Sequence, residues 1–393
     1  MALTHPGEPR LGSDQWGYLD LARQWRRGDG LGASAEVSAG YPLFVAGVDL
    51  LRLTGPVVPG LATALALAQA VLHGATVVAT GVLGRRVATP AVGLLAAGML
   101  AVWPDQLVAP GLPMSETLAT LLGVGVVLLL LGRPAPTAAR IAAAGVVLGL
   151  AVEVRPATGA LVVLFLVVPG ARGAVRARSL VVGAAAMLLV MAPFAVRSSL
   201  AAGAAVPLDL RAGAGLCLGR LPEADGGPIA YERCPVPAGA DALEADAARR
   251  AEAWRLLRAH PGREPALVAG RLRSTLWDDD RWALDELAQR NGRAVAPWVA
   301  DRLSGLSTAL SRVVVLLALA ATLGAARRRR GRLAWSIGAG WLLLVPVAVS
   351  LGDPRFRAAS LPFLALGAAA AVALAAGATG RARSPAPEAP PPP

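Results

Sequence analysis

The stretch "LATALALAQAVLHGATVVATGVL" at residues 61–83 is 23 residues long and contains no Asp, Glu, Lys or Arg. A helix needs about 20 mostly apolar residues to cross the hydrocarbon core of a bilayer, so this stretch predicts a transmembrane helix. The whole chain agrees, because it is 55% hydrophobic and only 16% charged, whereas about a quarter of the residues in soluble domains are charged. The sequence therefore predicts an all-α polytopic membrane protein.

Eight further apolar runs predict membrane helices, the shorter ones sheltered by their neighbours. They are 91–103, 117–132, 141–154, 157–169, 179–196, 303–323, 333–351 and 358–376. We therefore expect about nine transmembrane helices, six within residues 61–196 and three within residues 303–377. The apolar stretch 41–54 is short and contains Asp49 and Arg52, which favours a helix that lies at the membrane interface.

Residues 141–169 could form either one helix or two. A single helix of that length would be about 43 Å long against a core of about 30 Å, and it would bury Glu153 and Arg155 in the bilayer. A turn at "EVRPA" (153–157) removes both difficulties. We therefore predict a hairpin of two short helices.

The distribution of arginine predicts the orientation in the cell membrane. All 38 basic residues are arginines, and most of those near apolar runs fall in short loops that alternate to one side, as cytoplasmic loops do. This places residues 1–60 and the polar region 197–302 outside the cytoplasm, and a proline-rich, disordered tail (378–393) inside it. Because the net charge of +12 is spread over short loops, we exclude nucleic acid as a partner.

The polar region contains the two cysteines, Cys217 and Cys234. Outside the cytoplasm a disulfide is favoured over two unpaired thiols, and two sulfurs without a nearby histidine do not predict a metal site. In the same region "GADALEADAARRAEAWRLLRAH" (239–260) predicts a helix that stops at Pro261, and "EPALVAGRLRSTLW" (264–277) predicts a second, amphipathic helix.

Several polar residues fall on the predicted outer face, and two of them break the charge rule. Arg355 and Arg357 lie in a short loop on the side where the short loop at 104–116 contains no basic residue. Two interpretations stay open: the planar guanidinium groups bind a phosphate, or they anchor the loop at lipid headgroups. The other candidate residues on this face are Asp14, Tyr18, Asp105, Glu116, Glu153 and Arg155.

Five motifs, taken in order, resemble those of the GT-C superfamily of membrane glycosyltransferases, in particular the protein O-mannosyltransferases and the aminoarabinose transferases of lipid A (glycosyltransferase family 39). The first combines Asp14, Tyr18 and Ala22 with "YPLF" at 41–44. The others are "PMSETL" (113–118), "EVRPATGAL" (153–161), "APFAVRSSLAAG" (192–203) and "DPRFRAASLPFL" (353–364). Together they extend over nearly the whole chain.

The resemblance implies an inverting glycosyltransferase with an extracytoplasmic active site. Such enzymes move a sugar from a polyprenyl-phosphate donor to a lipid, glycan or protein acceptor. Asp14 then corresponds to the general base that deprotonates the acceptor, and Tyr18 to a substrate-binding residue.

The resemblance also assigns roles to the remaining candidates. Arg355 and Arg357 correspond to the phosphate-binding pair, with Arg155 in support. Asp105 and Glu116 correspond to residues that orient the acceptor or hold a divalent cation, although the residues predict no definite metal site.

The sequence departs from the family at its start. Gln15 follows Asp14 where the family has Glu or another polar residue. The resemblance also implies a transmembrane helix ahead of Asp14, and residues 1–12 are too polar to form one. We therefore expect that the protein begins upstream of Met1 or has lost this helix.

Two other functions remain open. If the helix is lost, a catalytically degenerate scaffold of cell-envelope assembly is the alternative to an active enzyme. A transporter or flippase is the third hypothesis, but it would need ionisable residues near the bilayer midplane or an internal repeat. The sequence shows neither.

Overall fold

The computed structural model describes residues 13–29, 35–54, 60–131, 136–169, 173–277, 284–286, 295–327 and 331–382. Within these ranges the chain forms α-helices and short 3-10 helices and no β-strand. The prediction of an all-α membrane protein is confirmed. The predicted residues 1–12 of the first loop and 383–393 of the tail lie outside the described residues. The last helix continues to Ala382, so the predicted tail from 378 begins within a helix.

The α-helices are numbered here in chain order. They are α1 (Ser13–Arg26), α2 (Gly40–Thr54), α3 (Leu61–Val87), α4 (Pro90–Ala101), α5 (Pro104–Val108), α6 (Glu116–Leu130), α7 (Ala138–Val154), α8 (Ala174–Ala202), α9 (Ala212–Leu218), α10 (Ala242–Ala259), α11 (Glu264–Leu276), α12 (Pro297–Arg327), α13 (Gly331–Leu342), α14 (Val345–Val349) and α15 (Leu361–Ala382).

Four helical segments in the described ranges are long and apolar enough to cross a membrane: Leu61–Val87, Ala174–Ala202, Pro297–Arg327 and Gly331–Val349. A fifth span results if Pro90–Ala101 and Pro104–Gly111, which meet at a bend of 65°, count as one. The predicted apolar runs near 117–132, 157–169 and 358–376 correspond to apolar helical segments of only 10–17 residues, which are Glu116–Leu130, Pro156–Val167 and Leu361–Ala376. The predicted count of about nine spans is therefore not confirmed.

The membrane helices expose large apolar side chains on their outer surfaces. Leu67, Val71 and Val78 of α3 are more than half exposed, as are Leu188 and Leu189 of α8. In a water-soluble protein such patches would be an aggregation hazard. In this chain they form the surface that faces lipid.

Small residues bring the membrane helices into close contact. A Cβ added to Gly145 of α7 would lie 2.3 Å from the carbonyl oxygen of Gly183 in α8, and one added to Gly183 would lie 2.4 Å from the ring of Phe165. Gly84 and Gly93 approach one another in the same way between α3 and α4. Such contacts are typical of membrane helices, where van der Waals packing drives association.

The predicted break near residue 155 is confirmed. Helix α7 ends at Val154, Arg155 is extended, and Pro156–Val167 follows as a 3-10 helix. This second segment packs back on the helices before it. A Cβ on Gly159 would lie 3.6 Å from Val152 of α7, and Leu161 packs toward α6. The sequence predicted two short helices, and the second is a 3-10 helix.

The polar region is folded around a disulfide. Cys217 and Cys234 are bridged, with their Cα atoms 6.2 Å apart, and both are buried against α10 and α11. Helix α10 begins with a capping box in which Asp241 and Glu244 each accept from the other's backbone. The disulfide and both helices predicted here are confirmed.

The orientation in the membrane remains a prediction. Several of the basic loop residues on which it depends, at 133, 172, 328–330 and 383, lie outside the described residues. The domain limits at 60, 196, 302 and 377 also stay predictions.

Candidate active site

A cavity of about 1200 Å³ lies where α1, the carboxyl end of α7 and the polar region meet the segment between α14 and α15. One part of its wall is polar and carries Asp14, Tyr18, Glu116, Arg155, Asp209, Arg211, Asp353 and Arg355. Another part is apolar and carries Leu216, Leu218, Ile229, Leu343, Pro346, Val347, Val349 and Leu351. The cavity can therefore hold a ligand with a charged end and a hydrocarbon part.

Asp14 lies between two arginines at the polar end of this cavity. Its Oδ2 accepts from Nη1 of Arg355 at 3.0 Å, and its Oδ1 accepts from Nη1 of Arg211. Burial alone would raise the pKa of Asp14, but the charges of Arg355 and Arg211 outweigh burial and hold that pKa below its usual range. Asp14 is therefore ionised at neutral pH.

The neighbouring carboxylates in turn keep Arg355 charged. Burial lowers the pKa of Arg355, whereas the neighbouring charges of Asp353 and Asp14 raise it by more, so Arg355 stays charged. Asp353 also fixes this residue locally, since its carboxylate accepts from the backbone N–H of Arg355 at 2.9 Å.

Phe356 connects Arg355 with a second ion pair. The guanidinium of Arg155 lies 5.0 Å from the centre of the Phe356 ring, and that of Arg355 lies 5.2 Å from it. Nη1 of Arg155 also pairs with Oε1 of the buried Glu116 at 2.8 Å. The aromatic ring attracts both cations and places two guanidinium groups on the cavity wall.

Aromatic contacts hold Tyr18 and α1 against the membrane helices. The ring of Tyr18 meets that of Tyr41 edge to face, with centres 4.8 Å apart. The Tyr41 hydroxyl donates to Oε1 of Gln69 at 2.9 Å, and Nε2 of Gln69 donates to the carbonyl of Leu112 at 2.6 Å. Tyr41 belongs to the "YPLF" motif, so this motif anchors the helix that carries Asp14. Burial and the nearby Asp14 raise the pKa of Tyr18, which keeps its hydroxyl protonated.

Arg357 and Asp105 lie outside the cavity lining. Arg357 is 1% exposed and pairs with Oδ2 of Asp105. Its Nη2 also lies 3.3 Å from the Ser307 hydroxyl, and its Nη1 lies 3.4 Å from the carbonyl of Thr275. The structure thus brings Asp14, Tyr18, Glu116, Arg155 and Arg355 together in one cavity and places Arg357 and Asp105 in a separate buried pair.

The two carboxylates considered for a cation are both bound by arginine, Glu116 by Arg155 and Asp105 by Arg357. Among the residues that the structure describes, no three His, Cys, Asp or Glu side chains form a cluster suited to a metal ion. The cavity lining does include three arginines, Arg155, Arg211 and Arg355, whose guanidinium groups are suited to binding an anion.

Sequence reasoning missed Arg211, which binds the second oxygen of Asp14. It also missed the partner of Gln15, whose Nε2 donates to Oε1 of Glu286 at 2.7 Å. Gln15 is buried at the cavity, and its Oε1 has no partner among the described residues. The sequence carries no signal for Arg211, because it is one of 15 arginines in the polar region 197–302.

Comparison with known proteins shows similarity in fold alone. No protein-family model and no curated protein matches the sequence. The chain resembles the oligosaccharyltransferase AglB from Archaeoglobus fulgidus in complex with an inhibitory peptide and a dolichol-phosphate, with a TM-score of 0.52 and 15% identity over 99% of this chain. The apo form of the A. fulgidus oligosaccharyltransferase gives a TM-score of 0.51 at 15% identity over 97% of this chain.

The chain spans about half the length of these two structures, 50% and 49% respectively. A weaker similarity, with a TM-score of 0.40 and 14% identity, covers 99% of this chain and 78% of ArnT from Cupriavidus metallidurans. The chain therefore has a fold similar to that of the A. fulgidus oligosaccharyltransferase over about half the length of that protein.

Proposed function

We propose that this chain is an inverting membrane glycosyltransferase that moves a sugar from a polyprenyl-phosphate donor to an acceptor hydroxyl or amide. The observation that carries the proposal is Asp14 between Arg211 and Arg355 at the polar end of a cavity with an apolar wall. The similarity in fold supports it. The AglB structure is a complex with an inhibitory peptide and a dolichol-phosphate, and for this chain a lipid-phosphate donor is our proposal.

The arginines suit the leaving group. The donor phosphate would lie against Arg355 and Arg155, which Phe356 holds on the same stretch of wall. Guanidinium groups form strong, charge-assisted hydrogen bonds to phosphate oxygens. The hydrocarbon chain would follow Leu343, Pro346 and Val347, which also line the cavity.

Asp14 is the candidate general base. The acceptor oxygen or nitrogen attacks the anomeric carbon, its proton moves to Oδ2 of Asp14, and the bond from that carbon to the phosphate oxygen breaks. The lipid phosphate departs with the electron pair, and the anomeric carbon is inverted. Because Oδ2 pairs with Arg355 before substrate binds, a donor phosphate that draws Arg355 away would leave this oxygen more accessible to the acceptor proton.

A transfer assay with the full chain in lipid nanodiscs and a panel of radiolabelled polyprenyl-phosphate sugars tests the proposal. We expect turnover with one donor and a loss of about 10²–10⁴-fold in Asp14→Asn, the contribution typical of a general base. Asp49→Asn is the matched control, because Asp49 also bridges two arginines, Arg26 and Arg52, and lies away from the cavity. The control should keep its activity.

Two results would contradict the proposal. Equal losses in Asp14→Asn and Asp49→Asn would mean that folding, not chemistry, was disturbed. No turnover with any donor in a folded protein would favour the scaffold of cell-envelope assembly. The acceptor, which is a lipid, glycan or protein in this proposal, is identified by the labelled product. A reporter fused to the carboxyl terminus tests the proposed cytoplasmic end and the extracytoplasmic cavity.

A further inference from the structure

The disulfide loop, residues 217–234, contacts the backbone just ahead of Arg355. The N–H of Gly352 donates to the carbonyl of Gly226 at 3.0 Å. One residue further on, the N–H of Asp353 donates to the hydroxyl of Thr275 in α11 at 3.1 Å. The segment that presents Arg355 to the cavity is therefore fixed at two consecutive residues by the polar region.

The backbones of Gly352 and Gly226 are too close to admit a side chain at either position. A Cβ on Gly352 would lie 2.5 Å from the carbonyl oxygens of both Gly226 and Arg271. Gly226 has a φ of +103°, and a Cβ there would lie 2.3 Å from the backbone nitrogen of Arg271. Only glycine fits at both positions. The two backbones touch directly, so a shift of the disulfide loop must move residues 350–353.

A buried arginine ties the same loop to α14. Arg271 is fully buried, and its Nη2 donates to the carbonyl of Gly219 in the disulfide loop at 2.6 Å. Its Nη1 donates to the carbonyl of Ala348 in α14 at 2.8 Å and pairs with Glu264 at 3.2 Å. Arg271 therefore links the disulfide loop to α14, the helix that precedes the segment with Arg355.

Arg211, the second arginine that pairs with Asp14, lies next to the helix that contains Cys217. Arg211 directly precedes α9, and α9 contains Cys217. The N–H of Gly213 donates to the buried carboxylate of Asp246 in α10 at 2.7 Å, which fixes the start of α9. Both guanidinium groups on Asp14 therefore depend on structure that the disulfide holds together.

We propose that the Cys217–Cys234 disulfide and its loop are a positioning element for the active site, which sets Arg211 and Arg355 on the two oxygens of Asp14. The bridge acts through the backbone of Gly226 on Gly352, and it touches no substrate. The placement stands on geometry alone, and its catalytic consequence rests on the proposed function.

Hydrogen exchange measured by mass spectrometry tests the placement without reference to activity. The proteins compared are the full chain in nanodiscs, the same chain after reduction, the double variant Cys217→Ala/Cys234→Ala, and Gly352→Ala. Gly262→Ala is the matched control, because a Cβ there meets nothing within 4 Å. We expect the amides of residues 352 and 353 to exchange at least about tenfold faster in the reduced protein, the double variant and Gly352→Ala than in the unmodified chain, since their partners in the polar region are displaced. Unchanged exchange in both the reduced protein and Gly352→Ala would overturn the proposal.

Steady-state kinetics test the consequence. In Gly352→Ala we expect the donor KM to rise about tenfold, the effect of weakening one charge-assisted hydrogen bond, with a smaller change in kcat. A general loss of folded protein would lower the apparent kcat and leave KM unchanged, and that result would overturn the positioning role. If exchange responds as expected but no protein transfers any sugar, the proposed function fails while the placement of the arginines by the disulfide loop stands.

Discussion

The pair of Arg357 and Asp105 gives the sharpest test of how the role of Arg357 differs from that of the neighbouring Arg355. Arg357 is 1% exposed, whereas the Asp105 side chain is 24% exposed. Asp105→Asn keeps the shape and one acceptor oxygen and removes only the charge. The guanidinium of Arg357 would then stay buried without the charge of Asp105 beside it.

The expected cost follows from this geometry. Removing one partner of a buried ion pair costs about 3–5 kcal/mol, because an uncompensated charge remains. Water reaches Asp105, and Arg357 keeps its contacts with Ser307 and Thr275, so the lower end applies. We therefore expect Asp105→Asn to lower the free energy of unfolding by about 3 kcal/mol. The double variant Asp105→Asn/Arg357→Met should recover most of this loss, since no buried charge is left.

Equilibrium unfolding in mixed micelles, followed by tryptophan fluorescence, measures the change. Glu252→Gln serves as control, since Glu252 pairs with an exposed arginine on the surface of α10, where ion pairs contribute little. The reasoning is refuted if Asp105→Asn is as stable as the unsubstituted protein. If that variant is stable and yet loses transfer activity, Asp105 acts on the substrate or on a cation instead.

Two further outcomes follow from the ion pairs. In Arg355→Gln the pKa of Asp14 should rise, because burial then opposes one arginine fewer, so the acidic limb of the pH profile of kcat/KM should move to higher pH. An acidic limb that does not move would show that Asp14 is not the titrating base. Glu264→Gln should destabilise the polar region by about 3 kcal/mol, since it leaves the buried Arg220 and Arg271 without their shared counter-charge. Unchanged exchange of the α11 amides would contradict this.

Hydropathy predicted where helices lie but not how they end or bend. The run at 91–103 became α4, and the chain then bends by 65° into Pro104–Gly111. The segment 156–167 is as apolar as its neighbours, yet it forms a 3-10 helix. Composition cannot distinguish the two kinds of helix, because they differ in residues per turn and in backbone hydrogen bonding, and both are compatible with the same apolar residue types.

The charge rule found the site but could not separate Arg355 from Arg357. The two residues lie two positions apart on the 3-10 turn Pro354–Arg357. With three residues per turn, their side chains leave in different directions, so one enters the cavity and the other the core. Arg211 escaped notice for another reason, because one arginine in a long polar region carries no topological signal.

Within the proposed mechanism, the pairing of Asp14 with both Arg211 and Arg355 means that donor binding precedes activation of the acceptor. An arginine without a counter-charge beside an apolar wall would be costly, and Asp14 together with Asp353 neutralises Arg355 until a phosphate arrives. When the donor phosphate takes Arg355, Asp14 keeps Arg211 and remains in place, but it loses one of the two charges that lower its pKa. The carboxylate therefore becomes more basic at the moment when the donor is bound. Donor binding thus prepares the base, and a cavity without donor holds the less basic form of this carboxylate.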